Sequence, residues 1–235
     1  MSQFELVGLI VSYVYAFSLL LIVEAAGKRW RWPLNVSRKI IHIGAGMWTW
    51  GILYFFHHRL WGILPFATFI LLNYLFYRRR TFSQMDAEKT SPGTVYFAVS
   101  ITLLFSIFWW PKGPIDHIPV AMAGIMAMTW GDAFAGLIGQ PWGKKTYTTF
   151  GHARSWLGSA LMMLISFIAI WLTLTWLPGS SLSPFSTVTA LPQRFLLSIV
   201  GTMIATASEA LSPAGTDNLT VPLITSFLLY LLGML

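Results

Sequence analysis

Ala123-Gly-Ile-Met-Ala-Met-Thr-Trp-Gly131-Asp132-Ala-Phe-Ala-Gly-Leu-Ile-Gly139 is the stretch that decides the fold. It is long and apolar enough to cross a bilayer, since a membrane helix needs about 20 residues with a range of roughly 17–25. Asp132 is its one ionisable residue. A carboxylate at the centre of such a helix costs about 2.5–3.5 kcal/mol on insertion scales. An acid kept there faces a polar cavity and does chemistry or binds an ion. The segment that follows, Gly139-Gln-Pro-Trp-Gly143-Lys144-Lys145, is basic, so phosphate is the natural partner.

Working outward, the rest of the chain fits the same reading. Of 235 residues, 56% are hydrophobic and 10% charged, against about 25% charged in soluble domains. The expectation is one integral membrane domain over residues 1–235, all-α, with about eight spans. These fall near 5–24, 40–56, 60–76, 93–110, 118–138, 157–177, 195–209 and 219–235. The net charge of +7 reads as membrane topology and not as nucleic-acid binding. There are no cysteines, which excludes disulfides, thiolate metal sites and Cys nucleophiles. The first span is expected to stay in place, because its leader carries Glu5 and no basic residue.

Charge placement supports the count. Lys28, Arg29, Arg31, Arg38 and Lys39, then Arg78, Arg79, Arg80 and Lys89, then Lys144, Lys145 and Arg154 occupy alternate loops. Only Arg59, Lys112 and Arg194 fall on the other face. The positive-inside rule then sets the basic loops in the cytoplasm and both termini on the non-cytoplasmic side. Trp61, Trp109, Trp110 and Trp176 are expected at outer helix ends, and Trp30, Trp32, Trp142 and Trp156 at inner ends.

Small residues recur at Ala127, Gly131, Ala135 and Gly139, a stripe that admits a neighbouring helix. Asp132 lies beside it and should point into the bundle. Glu209 closes the seventh span, and Asp217 with Asn218 opens the eighth. All approach the cytoplasmic interface, where three carboxyls from three helices can hold Mg²⁺, with Mn²⁺ as the alternative. Asp217 also suits a helix cap. Lys144, Lys145, Arg154 and Ser155, among glycines 139, 143 and 151, suit a polyphosphate, although they lack the spacing of a P-loop. Arg38, Lys39 and His42 share a second basic helix end, with His42 a candidate for proton transfer or phosphate contact. Glu24 and Lys28 read as an i,i+4 pair. Asp86, Glu88 and Lys89 read as a solvated loop.

Together, Ser37-Arg38-Lys39-Ile-Ile-His42, Gly131-Asp132-Ala-Phe-Ala135, Gly143-Lys-Lys145, Arg154-Ser-Trp-Leu-Gly-Ser159, Ser208-Glu-Ala-Leu211 and Asp217-Asn-Leu-Thr-Val-Pro222 resemble the polyprenol kinase family, phytol and farnesol kinases within it. The dolichol kinase branch tends to carry Lys and Glu where Arg154 and Leu157 stand here. The resemblance implies transfer of a γ-phosphoryl group, usually from CTP, to an isoprenoid alcohol such as phytol, geranylgeraniol or farnesol. It implies a multi-pass protein of a bacterial inner membrane or a plastid or thylakoid membrane, and a link to tocopherol synthesis. In this reading Lys144, Lys145, Arg154, Ser155, Arg38 and Lys39 hold the nucleotide. Asp132, Glu209, Asp217 and Asn218 hold the metal, with Asp132, Glu209 or His42 moving the proton.

Other readings weighed are a diacylglycerol kinase, a lipid cytidylyltransferase and a small ion-coupled transporter. The chain lacks the Lys-rich stretch with an Asp-Arg ending of the second and the inverted repeats of the third. A homodimer is compatible with the sequence, and no nucleic-acid partner is expected.

Overall fold

The computed structural model describes residues 1–83, 92–113, 115–150, 152–213 and 215–233. Asp86, Glu88, Lys89 and Gly151 lie outside them. Helix α1 (Gln3–Trp30) opens on a capping box, Ser2 accepting from the Glu5 amide while the Glu5 carboxylate accepts from Ser2. It runs past its expected end because Lys28 and Arg29 suit the negative pole of its last turn. Arg31 then leaves the helix in a left-handed conformation, φ 53°. There follow α2 (Leu34–Phe55), α3 (Arg59–Arg79) and α4 (Gly93–Phe108). Helix α5 (Ile118–Met126) continues through two π-helical stretches, Ala127–Asp132 and Ala135–Gly139. A short α6 (Gln140–Trp142) leads to strands β1 (Thr146–Thr149) and β2 (His152–Ser155). Helices α7 (Trp156–Trp176), α8 (Leu191–Leu211) and α9 (Asp217–Gly233) complete the described chain.

Each of the eight expected spans thus has a helix. Five are long and apolar enough to cross a membrane: α1, α3, the continuous segment Ile118–Gly139, α7 and α8. Helices α4 and α9 are apolar but shorter. Helix α2 has the length, but Arg38, Lys39 and His42 on its first turns reduce its hydropathy. The outer surface is apolar, as lipid requires: Leu6, Val7, Ile10, Val14, Leu21 and Ile22 of α1 are all exposed.

The centre of the bundle is the Asp132 helix. Of its apolar window, 78% is buried, against 17–44% for the other four spans. Helix α7 lies on its small-residue stripe. A Cβ on Gly131 would strike Ser166 and Met162, and one on Gly139 would strike the backbone of Gly158. Ser166 donates to the Ala127 carbonyl at 3.3 Å. The stripe therefore sets the helix spacing.

The fold is all-helical as expected, apart from one short hairpin in which β1 and β2 pair antiparallel, Thr146 opposite Ser155 and Tyr147 opposite Arg154. Three threonines and Tyr147 favour a strand, Phe150 turns with φ 47°, and Tyr147 anchors the hairpin on α7 through Ser159 (2.6 Å) and the Trp156 ring. Trp109 is not an interfacial anchor. It is buried, its ring lying over Gly62 and against Phe105.

Candidate active site

The antiparallel helices bring the C-terminal end of the Asp132 segment, the N-terminal ends of α2, α7 and α9, and the C-terminal end of α8 to one pole of the bundle. The charged residues gather there in two buried groups. In the first, Lys39 of α2 donates to Asp132 at 2.5 Å, both side chains 7% exposed. Gly136, one turn beyond Asp132, makes room for this lysine. A Cβ there would lie 2.6 Å from Lys39 Cε. His42, one turn along α2, donates from Nε2 to the Met128 carbonyl at 3.2 Å and stands 4.0 Å from the Asp132 carboxylate. Its ring rests on Phe97.

Arg154 of β2 is the hub of the second group. It pairs with Glu209 at 3.0 Å, approaches Asp217 at 3.8 Å, and donates to the carbonyls of Glu209 and Ser212. Its Nε is buried without a partner, an unmet donor next to a polar cavity. Thr206, one turn before Glu209, and Thr129 also carry buried hydroxyls without a partner. Asp217 accepts at Oδ1 from both the backbone and the side-chain amide of Asn218, which steadies the start of α9.

Two cavities meet here. The larger encloses about 1100 Å³, part of it open to the surroundings, between α1, α2, α3 and α4. Its wall is largely apolar, and its charged groups Arg38, Lys39 and Asp132 collect with His42 and Asn218 at the charged pole. The smaller, about 330 Å³, is lined by Arg154, Ser155, Gly158, Ser159, Glu209 and Asp132, among others. Asp132 lines both. The N-terminus of α7 also reaches the smaller cavity, and helix N-termini favour anions.

Several sequence-derived expectations are changed by this geometry. Lys39, expected at the nucleotide, is a buried partner of Asp132. Ser155 has its hydroxyl engaged, accepting from the Gly158 amide and donating to the Gly139 carbonyl; it caps α7. Lys144 and Lys145 are exposed and line neither cavity. Arg38 is half-buried on the large cavity. Asp132, Glu209 and Asp217 do reach one pole, but the first two are matched by cations. Among the described residues no three carboxylates or imidazoles stand close enough to hold a metal by themselves.

Lys39 and Arg154 oppose their carboxylates because a lone buried charge is costly. The acids nevertheless keep oxygens uncommitted to hydrogen bonds, and Mg²⁺ carried in with phosphates needs only one or two carboxylates and some waters. Asp217 and Glu209 fit that donor set. The sequence reading missed Tyr15, Trp48, Asn73 and Phe97, which line the large cavity. One signal was there to be read on α2, where Lys39, His42, Ala45 and Trp48 recur at one face.

A membrane-embedded apolar cavity that ends at a buried acid shared with a polar, cationic cavity defines a class: a membrane enzyme joining a lipid to a charged, water-soluble partner. The comparisons with known proteins narrow it. The chain is 34% identical over 221 residues to a phytol kinase of Synechocystis sp., covering 92% of this chain and 87% of that one. It is 24% identical to a Triticum aestivum protein named probable phytol kinase, chloroplastic, and 26% identical to Arabidopsis thaliana phytol kinase 1, chloroplastic. Each match covers 92% of this chain, and 74% and 72% of the relatives. The chain belongs to the phytol kinase family. No family model and no solved structure matches it.

Proposed function

We propose that this chain is an isoprenoid-alcohol kinase, transferring the γ-phosphoryl group of a nucleoside triphosphate, CTP first among candidates, to phytol or a related alcohol. One observation carries the reading: Asp132 lines both the apolar and the polar cavity. The printed names of the relatives support the same chemistry.

The alcohol lies with its chain in the large cavity and its hydroxyl beside Asp132, Lys39 and His42. The triphosphate lies in the small cavity against Arg154 and the N-terminus of α7, its oxygens meeting the Arg154 Nε that otherwise has no partner. The hydroxyl oxygen attacks the γ-phosphorus, the bond to the β-bridging oxygen breaks, and a nucleoside diphosphate leaves. Asp132 receives the hydroxyl proton. Lys39 holds Asp132 in place until then. Such transfers depend mainly on positioning and charge neutralisation. Mg²⁺, when bound, would be held by Asp217 and Glu209 beside Asn218 and would neutralise the phosphate charge. The charged pole faces the cytoplasm, where nucleotide is available, in keeping with the basic loops.

Product analysis tests this. Purified protein is given phytol, geranylgeraniol, farnesol or diacylglycerol with each of CTP, UTP, GTP and ATP. A lipid monophosphate and nucleoside diphosphate from an isoprenoid alcohol are expected. Release of pyrophosphate with a nucleotide-linked lipid, or transfer to diacylglycerol alone, would overturn it.

A further inference from the structure

Resting on that reading, we propose that Trp48 is the floor of the acceptor cavity and measures the length of the isoprenoid chain. The cavity descends along α2 from Lys39 and His42 past Ala45 to Trp48. Trp48 lies nine positions beyond Lys39, about 13.5 Å along the helix at 1.5 Å per residue. Between these ends Ala16, Ala45 and Ala98 face the space from three helices, beside Leu19, Phe69 and Phe97. At the depth of Trp48 the wall holds Phe66, Ile101 and Pro65.

Trp48 is held by two contacts. Its Nε1 donates to Ser12 Oγ at 3.1 Å, and Ser12 in turn donates to the Gly8 carbonyl at 2.7 Å. Its ring stacks on Tyr15 with centroids 4.5 Å apart and planes at 18°. The Tyr15 hydroxyl donates to the Gly44 carbonyl at 2.9 Å, tying the stack back to α2. Swinging the indole aside would break its hydrogen bond to Ser12 and its stack on Tyr15. The floor is therefore stiff, and it offers the chain end an aromatic surface whose one N–H donor is already satisfied. A chain that fills the space down to this ring gains burial with each methylene. A longer one meets the ring.

The test is a ratio. kcat/KM is measured for farnesol, geranylgeraniol and a longer polyprenol with the wild-type chain, Trp48→Ala, Trp48→Phe and Ala45→Leu. Ratios between alcohols within one preparation do not depend on the fraction that is folded. Trp48→Ala should raise the ratio of longer polyprenol to geranylgeraniol by about tenfold or more, the scale on which apolar pockets sort chain length. Trp48→Phe should move it the same way by less. Ala45→Leu narrows the cavity and should lower the ratio of geranylgeraniol to farnesol by about tenfold. Unmoved ratios in Trp48→Ala and Ala45→Leu, in a chain that phosphorylates isoprenoid alcohols, would overturn the floor. A wild-type chain that phosphorylates none of them overturns the kinase reading itself.

Discussion

Among the described residues Lys39 and Asp132 form the most buried ion pair at the site. Removing one partner of a buried pair costs about 3–5 kcal/mol, because the charge left behind has no water to turn to. Lys39→Met should therefore lower thermal stability by about that amount, while adding Asp132→Asn should restore part of it. Thermal unfolding in detergent checks this; additive losses in the double variant would show that the two side chains are independent. Arg154 carries a different load. Arg154→Lys keeps the charge but loses the planar fork that now reaches Glu209, Asp217 and two carbonyls. Apparent nucleotide KM should rise about tenfold, the worth of a hydrogen bond to a charged group, with acceptor KM little changed. Lys144→Ala and Lys145→Ala should move it by less than about threefold, since exposed cations at a rim are screened by salt. The sequence does not show where these lysines lie, for a physical reason. Lys144 follows Asp132 closely along the chain, but the π-helical turns and the short α6 carry it out to the surface before the hairpin returns Arg154 to the site. The acids were legible as charges in apolar surroundings. Their pairing with Lys39 and Arg154 is tertiary, and no local pattern announces it.

At the scale of elements, most helices were legible because apolar runs of the right length have few alternatives in a bilayer. The ends were less so. Helix α2 begins at Leu34, ahead of the expected 40, because Arg38 and Lys39 continue the helix instead of flanking it. The hairpin escaped notice because its two four-residue strands sit between strong helical signals. The stripe on the Asp132 helix was read correctly as a packing surface, and it sets up a direct test. Gly139→Ala places a methyl against the Gly158 backbone at the crossing with α7. Overpacking of this kind costs about 1–3 kcal/mol. A matching fall in thermal stability is expected, and also a loss of turnover, since the shift displaces Ser155 and the start of α7 from the small cavity. An unchanged melting temperature would mean that the two helices are not in close contact.

For the molecule as a whole, the arrangement separates an apolar half-site from a polar one and joins them at a single carboxylate. The basic pole is expected on the cytoplasmic side. Single cysteines introduced into this cysteine-free chain at positions 30 and 144 should label from the cytoplasm, and one at position 2 from the opposite side; labelling of position 144 only from outside would reverse the topology. The junction itself is tested most directly by one variant, Asp132→Asn, in which nucleotide affinity, alcohol affinity and single-turnover transfer are measured together. Asn is nearly isosteric but can neither take the proton nor answer the Lys39 charge. Both ligands should still bind, while transfer falls by about a hundredfold or more, the scale of a lost general base. Near-wild-type transfer in this variant would contradict the account, leaving Asp132 a structural partner of Lys39 and placing the chemistry elsewhere.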